Sequence, residues 1–292
     1  MNASNALFGV EGSAVRLLYR LSGARPSSAP YLSGDGFRAL CRLSYEGSSR
    51  SIFQSASANE GELIFVEAWH LEEFLNGPAR EIARPFSVIS HNGDRNIDGT
   101  FLPLLPPTLR RLFAQNALLR DPRIVPLPIG LENRRLHCNG IVGDFERISR
   151  IKRVKKPRIL TAFTPATNPS VRLTAMKHLA SSPANDSVSR INSRSYRELA
   201  AGYMFIASPP GNGEDCHRTW EALYMRSVPV VMRSPLTMAF KARGMPLLLV
   251  DSYEELCSWD EAKAARTYEE LSPGFDSPSI WFDYWKEVVD RR

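Results

Sequence analysis

Between Met204 and Met232 the chain reads MFIASPPGNGEDCHRTWEALYMRSVPVVM, and this order of residue types leaves few folds open. The apolar run Met204 to Ser208 is stopped by Pro209 and Pro210, which lack the amide a strand interior needs. Gly211 and Gly213 then permit tight turns, a helix is predicted from His217 to Arg226, and a second apolar run follows from Val228 to Met232. Strand, loop, helix and strand, with both strands apolar along their length, define a βαβ unit in a parallel sheet covered on both faces.

The same alternation runs through the rest of the chain. In the first part Glu62 to Glu67, Phe86 to Ser90 and Ile124 to Ile129 are predicted as extended, Leu71 to Leu75 as helical, and Pro107 to Asn116 as a helix with proline at its start. In the second, strands are predicted at Arg158 to Phe163 and Pro246 to Val250. Helices are predicted at Ser170 to Ala180, with serine at the cap, and at Ser195 to Ala201. A chain of 292 residues is long enough for two domains. Charge rises from Glu132 to Lys156, where Gly140 and Gly143 punctuate the chain, so the expected division is an α/β domain over residues 1–138 and another over 139–292. The C-terminal SIWFDYWKEVVD carries bulky residues that must pack on something, with the first domain as the expected partner.

Composition excludes several classes. With 43% hydrophobic and 23% charged residues the chain reads as globular. No apolar run approaches the roughly 18 residues of a membrane-spanning helix. The opening MNASNALFGVEGSAVRLLYR lacks the basic start and continuous apolar stretch of a secretory signal, so a cytoplasmic location is expected. Cys41, Cys138, Cys216 and Cys257 are far apart, with no CxxC pair, and read as reduced thiols. Lys and Arg number 37 against 31 Asp and Glu, a net charge of +6 that favours polyanionic partners and leaves peripheral contact with an anionic membrane open. The densest basic cluster is Arg147, Arg150, Lys152, Arg153, Lys155, Lys156 and Arg158. It reads as a solvated linker face and has no interleaved aromatic residues, so no nucleic-acid partner is expected.

Helix starts carry unpaired amides and partial positive charge, which suits phosphate. At about 100 degrees per residue, Glu221 projects between His217 and Arg218, while Trp220 and Leu223 point to a neighbouring sector. A guanidinium can grip phosphate oxygens and a carboxylate can accept from two vicinal ribose hydroxyls, roles assigned here to Arg218 and Glu221. The plain alternative is a surface i, i+3 pair worth a few tenths of a kcal/mol. Ser208, Pro209, Gly211, Asn212, Gly213, Asp215 and His217 complete this candidate site. Thr167, Asn168 and Arg172, in the loop after the first strand of the second half, are further phosphate candidates, a helix cap and turn being the alternative. There is no GxxxxGK[ST], and the third glycine of GxGxxG is missing.

Ser90 to Asp98 reads SHNGDRNID directly after a buried strand, where polar side chains are costly unless solvated or used. Asp94 is the candidate base for taking a hydroxyl proton, with His91 as its alternative or orienter; an Asn-Gly turn is the bland reading. SHNGD is weakly similar to the Asn-His-Asp clusters of metallophosphoesterases, but histidines at 70, 91, 137, 178 and 217 do not form a spaced ligand set, and no metal is expected. In Pro128 to Asn133 (PIGLEN), Glu132 and Asn133 are candidates to line the cleft or to form a turn, and Gly130 is expected to serve backbone geometry.

From Ser195 to Met232 a Tyr-bearing helix, FIASPPGNGEDCHR, WEAL and SVPVV together resemble the donor half of GT-B glycosyltransferases, nearest the exostosin-like group and more distantly fucosyltransferases. Ser227 stands where many relatives carry glycine, and the likeness is thin before residue 130. The resemblance implies an α/β GT-B fold of two Rossmann-like domains whose parallel sheets face across a cleft. It also implies a metal-independent reaction with a nucleoside-diphosphate sugar, UDP-linked or GDP-linked, and a glycan acceptor, with Arg218 and Glu221 binding the donor. A glycan-binding protein that keeps the fold without turnover, and a metal-dependent phosphoesterase, are the alternatives.

Overall fold

The computed structural model describes residues 25–292 except 137 and 190, together with residues 14, 17, 19 and 21–23. Most of the opening segment, and His137, lie outside the described residues. Among the described residues there are two five-stranded sheets, and every pairing in them is parallel. The first runs in chain order through β1 (Leu43–Tyr45), β2 (Glu62–Glu67), β3 (Phe86–His91), β4 (Leu109–Gln115) and β5 (Ile124–Leu127). The second comprises β6 (Lys156–Thr161), β7 (Asn185–Ser187), β8 (Tyr203–Ala207), β9 (Val228–Met232) and β10 (Leu248–Val250), in the order β10-β9-β8-β6-β7. Two Rossmann-like halves are thus the architecture of the molecule, as a GT-B fold requires. Strand order reverses between β6 and β8 of the second sheet, and such a switch point leaves a crevice at the strands' carboxyl ends.

The βαβ unit of the second half is β8, the helix His217–Tyr224 and β9. Trp220 and Leu223 of its helix are buried in the core, as helical phase demands. The segment Pro107 to Asn116 departs from its predicted helix: it is β4, lying between β3 and β5. Leu109, Leu112 and Phe113 have a spacing that also suits a helix face, but Leu112 to Gln115 are buried consecutively, as strands covered on both faces require. The helix Pro169–Ala180 is capped by Asn168, whose Oδ1 accepts from the Val171 amide, instead of by Ser170; Pro169 occupies its first turn.

One hydrophobic core runs through both halves. Phe65, Ile89, Phe113 and Leu127 from the first sheet join Phe205, Trp220, Val230 and Trp285 from the second half, and a smaller cluster covers the other side of the first sheet. The C-terminal helix Phe282–Asp290 takes part: Phe282 meets Phe37 at 5.6 Å between ring centroids, and its amide donates to the Pro30 carbonyl. Tyr31, Phe145, Tyr224 and Trp281 form an aromatic cluster from four separate segments, with the Tyr31–Tyr224 edge contact at 4.8 Å. Tyr224 Oη accepts from the Leu32 amide and donates to the Ile280 carbonyl, so its buried hydroxyl is satisfied.

The basic cluster near residue 150 is only partly a solvated face. Arg147 and Arg153 both pair with Glu198, Arg158 pairs with Asp186 and Glu261, and the largely buried Lys155 ammonium donates to the Ala201 and Tyr203 carbonyls. Burial lowers the Lys155 pKa to about 7. Among the described residues no helix is long and apolar enough to cross a membrane.

Candidate functional site

A cleft of about 750 Å³ opens at the carboxyl ends of β6 and β8, at the switch point of the second sheet. Its walls are Thr161 to Pro165 after β6, the loop and helix start from Gly211 to Glu221 after β8, and Tyr196 and Arg197 from the helix Ser193–Ala200. Asp94 and Ile129 close it from the first half.

The helix His217–Tyr224 turns three side chains to this space: His217, Arg218 and Glu221. Glu221 is buried in the fold, yet its carboxylate has no hydrogen bond or ion pair among the described residues. Burial raises its pKa, against the opposing pull of the Arg218, His217 and Arg197 charges. Arg218 donates from Nη2 to the Ala162 carbonyl at 3.2 Å and lies over the rings of Phe163 and Tyr196, while its buried Nε has no partner among the described residues. The two residues therefore do not spend their charges on each other, which removes the surface-pair reading. His217 Nδ1 is 2.8 Å from the Gly130 carbonyl oxygen; a carbonyl can only accept, so Nδ1 carries a proton. The helix N-cap, Cys216, supplies no side-chain cap, and burial raises its thiol pKa.

Arg172 lines the cleft but is spent largely on backbone. Its Nε donates to the Pro210 carbonyl at 3.0 Å, Nη1 to Thr164 at 2.8 Å and Nη2 to Pro209 at 3.3 Å, tying the loops after β6 and β8 together. Asn168 adds a bond from Nδ2 to the Gly211 carbonyl. Ser208 Oγ pairs with Thr219 Oγ1 behind the cleft, and Pro209 contributes its carbonyl to Arg172. Asn168, Ser208 and Pro209 thus support the site from outside its lining, whereas Thr167, Gly211, Asn212 and Gly213 face it.

The loop after β8 is fastened to the first half. Asp215 accepts from the Ile129 amide at 2.8 Å and from Trp220 Nε1 at 2.9 Å, and its own amide donates to Asn116 Oδ1. Burial pushes the Asp215 carboxyl up to about 6. A methyl group on Gly213 would overlap Asn116 Nδ2, so the close approach of the two halves needs glycine there.

Asp94 lies on the first-half wall, partly exposed, and its Oδ2 accepts from Asn212 Nδ2 at 3.2 Å. His91 is placed differently. It is buried, its Nε2 lies 3.0 Å from the Pro128 carbonyl oxygen and its Nδ1 accepts from the Asn92 amide at 2.8 Å. Burial lowers its pKa to about 4, so the ring is neutral, both nitrogens are engaged, and it does not line the cleft. Asn92, at φ 63, bonds Asn133 through its side chain, and Asn133 Oδ1 accepts from the Asp35 amide. Gly130 has φ 68, the left-handed geometry that favours glycine. Glu132 holds the Asn139 amide at 2.6 Å.

Several cleft residues went unmarked by sequence reasoning: Phe163, Tyr196, Arg197 and Asn139. Arg197 is almost fully buried and ion-paired with Asp144 at 2.6 Å, and its Nη1 donates to the Asn139 carbonyl. An arginine one residue from a core tyrosine in a short helix was the available signal.

Fold and cleft together define an α/β protein of two Rossmann-like halves with a cleft at a sheet switch point. No family model matches the sequence, and no curated protein matches it. Among solved structures the chain is similar to an OtsA in its apo form, at 10% identity over 83% of this chain and 74% of that one, with a TM-score of 0.47. It is also similar to an OtsA trehalose-6-phosphate synthase, at 8% identity over 83% and 73% with a TM-score of 0.48. A third is the α,α-trehalose 6-phosphate synthase from Burkholderia multivorans, at 12% identity over 81% and 72% with a TM-score of 0.45.

Proposed function

We propose that this chain is a glycosyltransferase that moves a sugar from a nucleoside-diphosphate donor, a UDP-sugar in the first instance, to a hydroxyl of a glycan acceptor with inversion. The observation that carries the proposal is the presence on one helix of a cleft-facing Glu221 and of Arg218, whose buried Nε has no partner among the described residues. Buried polar groups are normally satisfied, so the Arg218 Nε beside a cleft-facing, unpaired carboxylate calls for a polar ligand. Glu221 accepts from the ribose hydroxyls, Arg218 holds the diphosphate, and the amides of the loop after β8 and of the helix start add donors for it. Arg172 acts behind them, fixing the two phosphate-facing loops through their carbonyls.

In the transfer, the acceptor oxygen gives its proton to the Asp94 carboxylate and forms a bond to the anomeric carbon. The bond from that carbon to the diphosphate breaks, and the diphosphate leaves with the electron pair. Positive groups aimed at the leaving oxygens stabilise the charge that develops there. His91 is too enclosed to share the proton, which leaves Asp94 as base. The same engaged nitrogens remove His91 as a metal ligand and disfavour the phosphoesterase alternative.

The experiment is donor turnover with a panel of UDP- and GDP-sugars, by wild type, Asp94→Asn and Glu221→Gln. Release of the nucleotide diphosphate by wild type, lost in Asp94→Asn while nucleotide binding persists, is the expected result. No binding or turnover of any donor sinks the proposal, and glycan binding without nucleotide affinity would favour the non-catalytic alternative.

A further inference from the structure

The tryptophans of this chain are treated unequally by the fold. Trp220 and Trp285 are fully buried and Trp259 nearly so, whereas Trp69 is 54% exposed. Trp69 sits in the short turn Ala68–His70 directly after β2. Because β2 pairs with β3 so that Glu67 lies beside His91, this turn meets the loop that carries Asp94. A methyl group on Gly93 would come within 2.8 Å of Trp69 Nε1 and 3.1 Å of Ala68 Cβ. The indole therefore lies against bare backbone one residue before Asp94, and Asp94 lines the cleft.

A single exposed apolar side chain needs no explanation. Three circumstances set this one apart. The indole edge is fixed by the absence of a side chain at position 93, and its N–H has no hydrogen-bond partner among the described residues. The segments next to it in the chain and fold carry charged and polar groups: Arg95 pairs with Glu72 and stacks on Phe101 at 5.1 Å, and Asn212 reaches Asp94 from the opposite half. It also follows β2 at the same carboxyl edge of the first sheet at which the Asp94 loop follows β3, just outside the lining of the cleft.

A sugar ring has a face of C–H groups and a rim of hydroxyls. An exposed indole removes the first from water, and neighbouring carboxylate, amide and N–H groups bond the second. We propose that Trp69 is the platform for the acceptor sugar, stacking its ring and holding one hydroxyl toward Asp94. The proposal rests on the glycosyl-transfer reading and adds the class of ligand on the first-half side: a neutral sugar ring presenting a C–H face.

The test uses the full chain labelled with fluorotryptophan, with the Trp69 fluorine resonance identified by its loss in Trp69→Phe. The probes are UDP and GDP, then methyl glycosides of glucose, galactose, mannose, N-acetylglucosamine, xylose and fucose. The Trp69 line is expected to shift saturably with at least one glycoside. With that glycoside as acceptor, Trp69→Ala is expected to raise KM by about tenfold or more and Trp69→Phe by less, with UDP affinity held within about twofold in both. A Trp69 line that no glycoside moves overturns the platform, whether or not UDP binds. A line that moves with a glycoside while neither nucleotide binds leaves the platform standing and removes the donor reading instead.

Discussion

At the scale of single residues, Glu221 has opposite effects on stability and on binding. Its folded-state pKa is raised by burial, so the folded protein holds the proton more tightly than the unfolded chain does. Stability contributed through this group is therefore present at low pH and is lost as pH rises from the ordinary glutamate value through the raised one. In the donor role proposed for Glu221, ligand binding has the reverse sign, because only the carboxylate accepts from two ribose hydroxyls. Glu221→Gln is expected to melt higher than wild type at neutral pH without ligand, yet to bind UDP about tenfold to a hundredfold more weakly, the range for losing charged hydrogen bonds of about 1.5–3 kcal/mol. Thermal melts and calorimetry check both, and a variant that loses stability along with affinity would make Glu221 a structural residue. In wild type, UDP affinity is expected to fall as pH drops, beginning at higher pH than an unshifted glutamate would dictate.

Among elements, the loop after β8 has two attachments. Arg172 and Asn168 hold it to the second half, and Asp215 holds it to Ile129 and Asn116 in the first. The Asp215 carboxyl, at about 6, is protonated in the fold at pH values where the unfolded chain has released its proton. Stability from this group accordingly falls as pH rises from about 4 to about 6. Denaturant unfolding should show wild type exceeding Asp215→Asn by a margin that shrinks over that window, by an amount on the order of a few kcal/mol; a margin that grows would contradict the buried geometry. That loop was legible in the sequence, because Pro209, Pro210, Gly211 and Gly213 punctuate it between two apolar strands, and helical phase separated Arg218 and Glu221 from Trp220. β4 was not, since Leu109, Leu112 and Phe113 fit a helix spacing as well as a buried strand and only the neighbouring strands decide. Nor were the fates of His91 and Arg172 legible: whether a polar side chain reaches a cleft or a carbonyl depends on partners such as Pro128 and Thr164 that lie far away in sequence.

For the molecule as a whole, the continuous core and the bonds across the cleft couple the halves. Calorimetry is expected to give one unfolding transition, with matching calorimetric and van't Hoff enthalpies, in place of two; two separated transitions would mean that the shared apolar contacts contribute little. The aromatic cluster of Tyr31, Phe145, Tyr224 and Trp281 bears on engineering as well. Each half, expressed alone, would present part of that cluster to water, and Tyr224 would lose the Leu32 amide that its hydroxyl accepts from. A second half from elsewhere therefore cannot be grafted onto this chain unchanged. A chimera would have to carry Tyr31 and Leu32 with it, or else redesign both sides of the seam together.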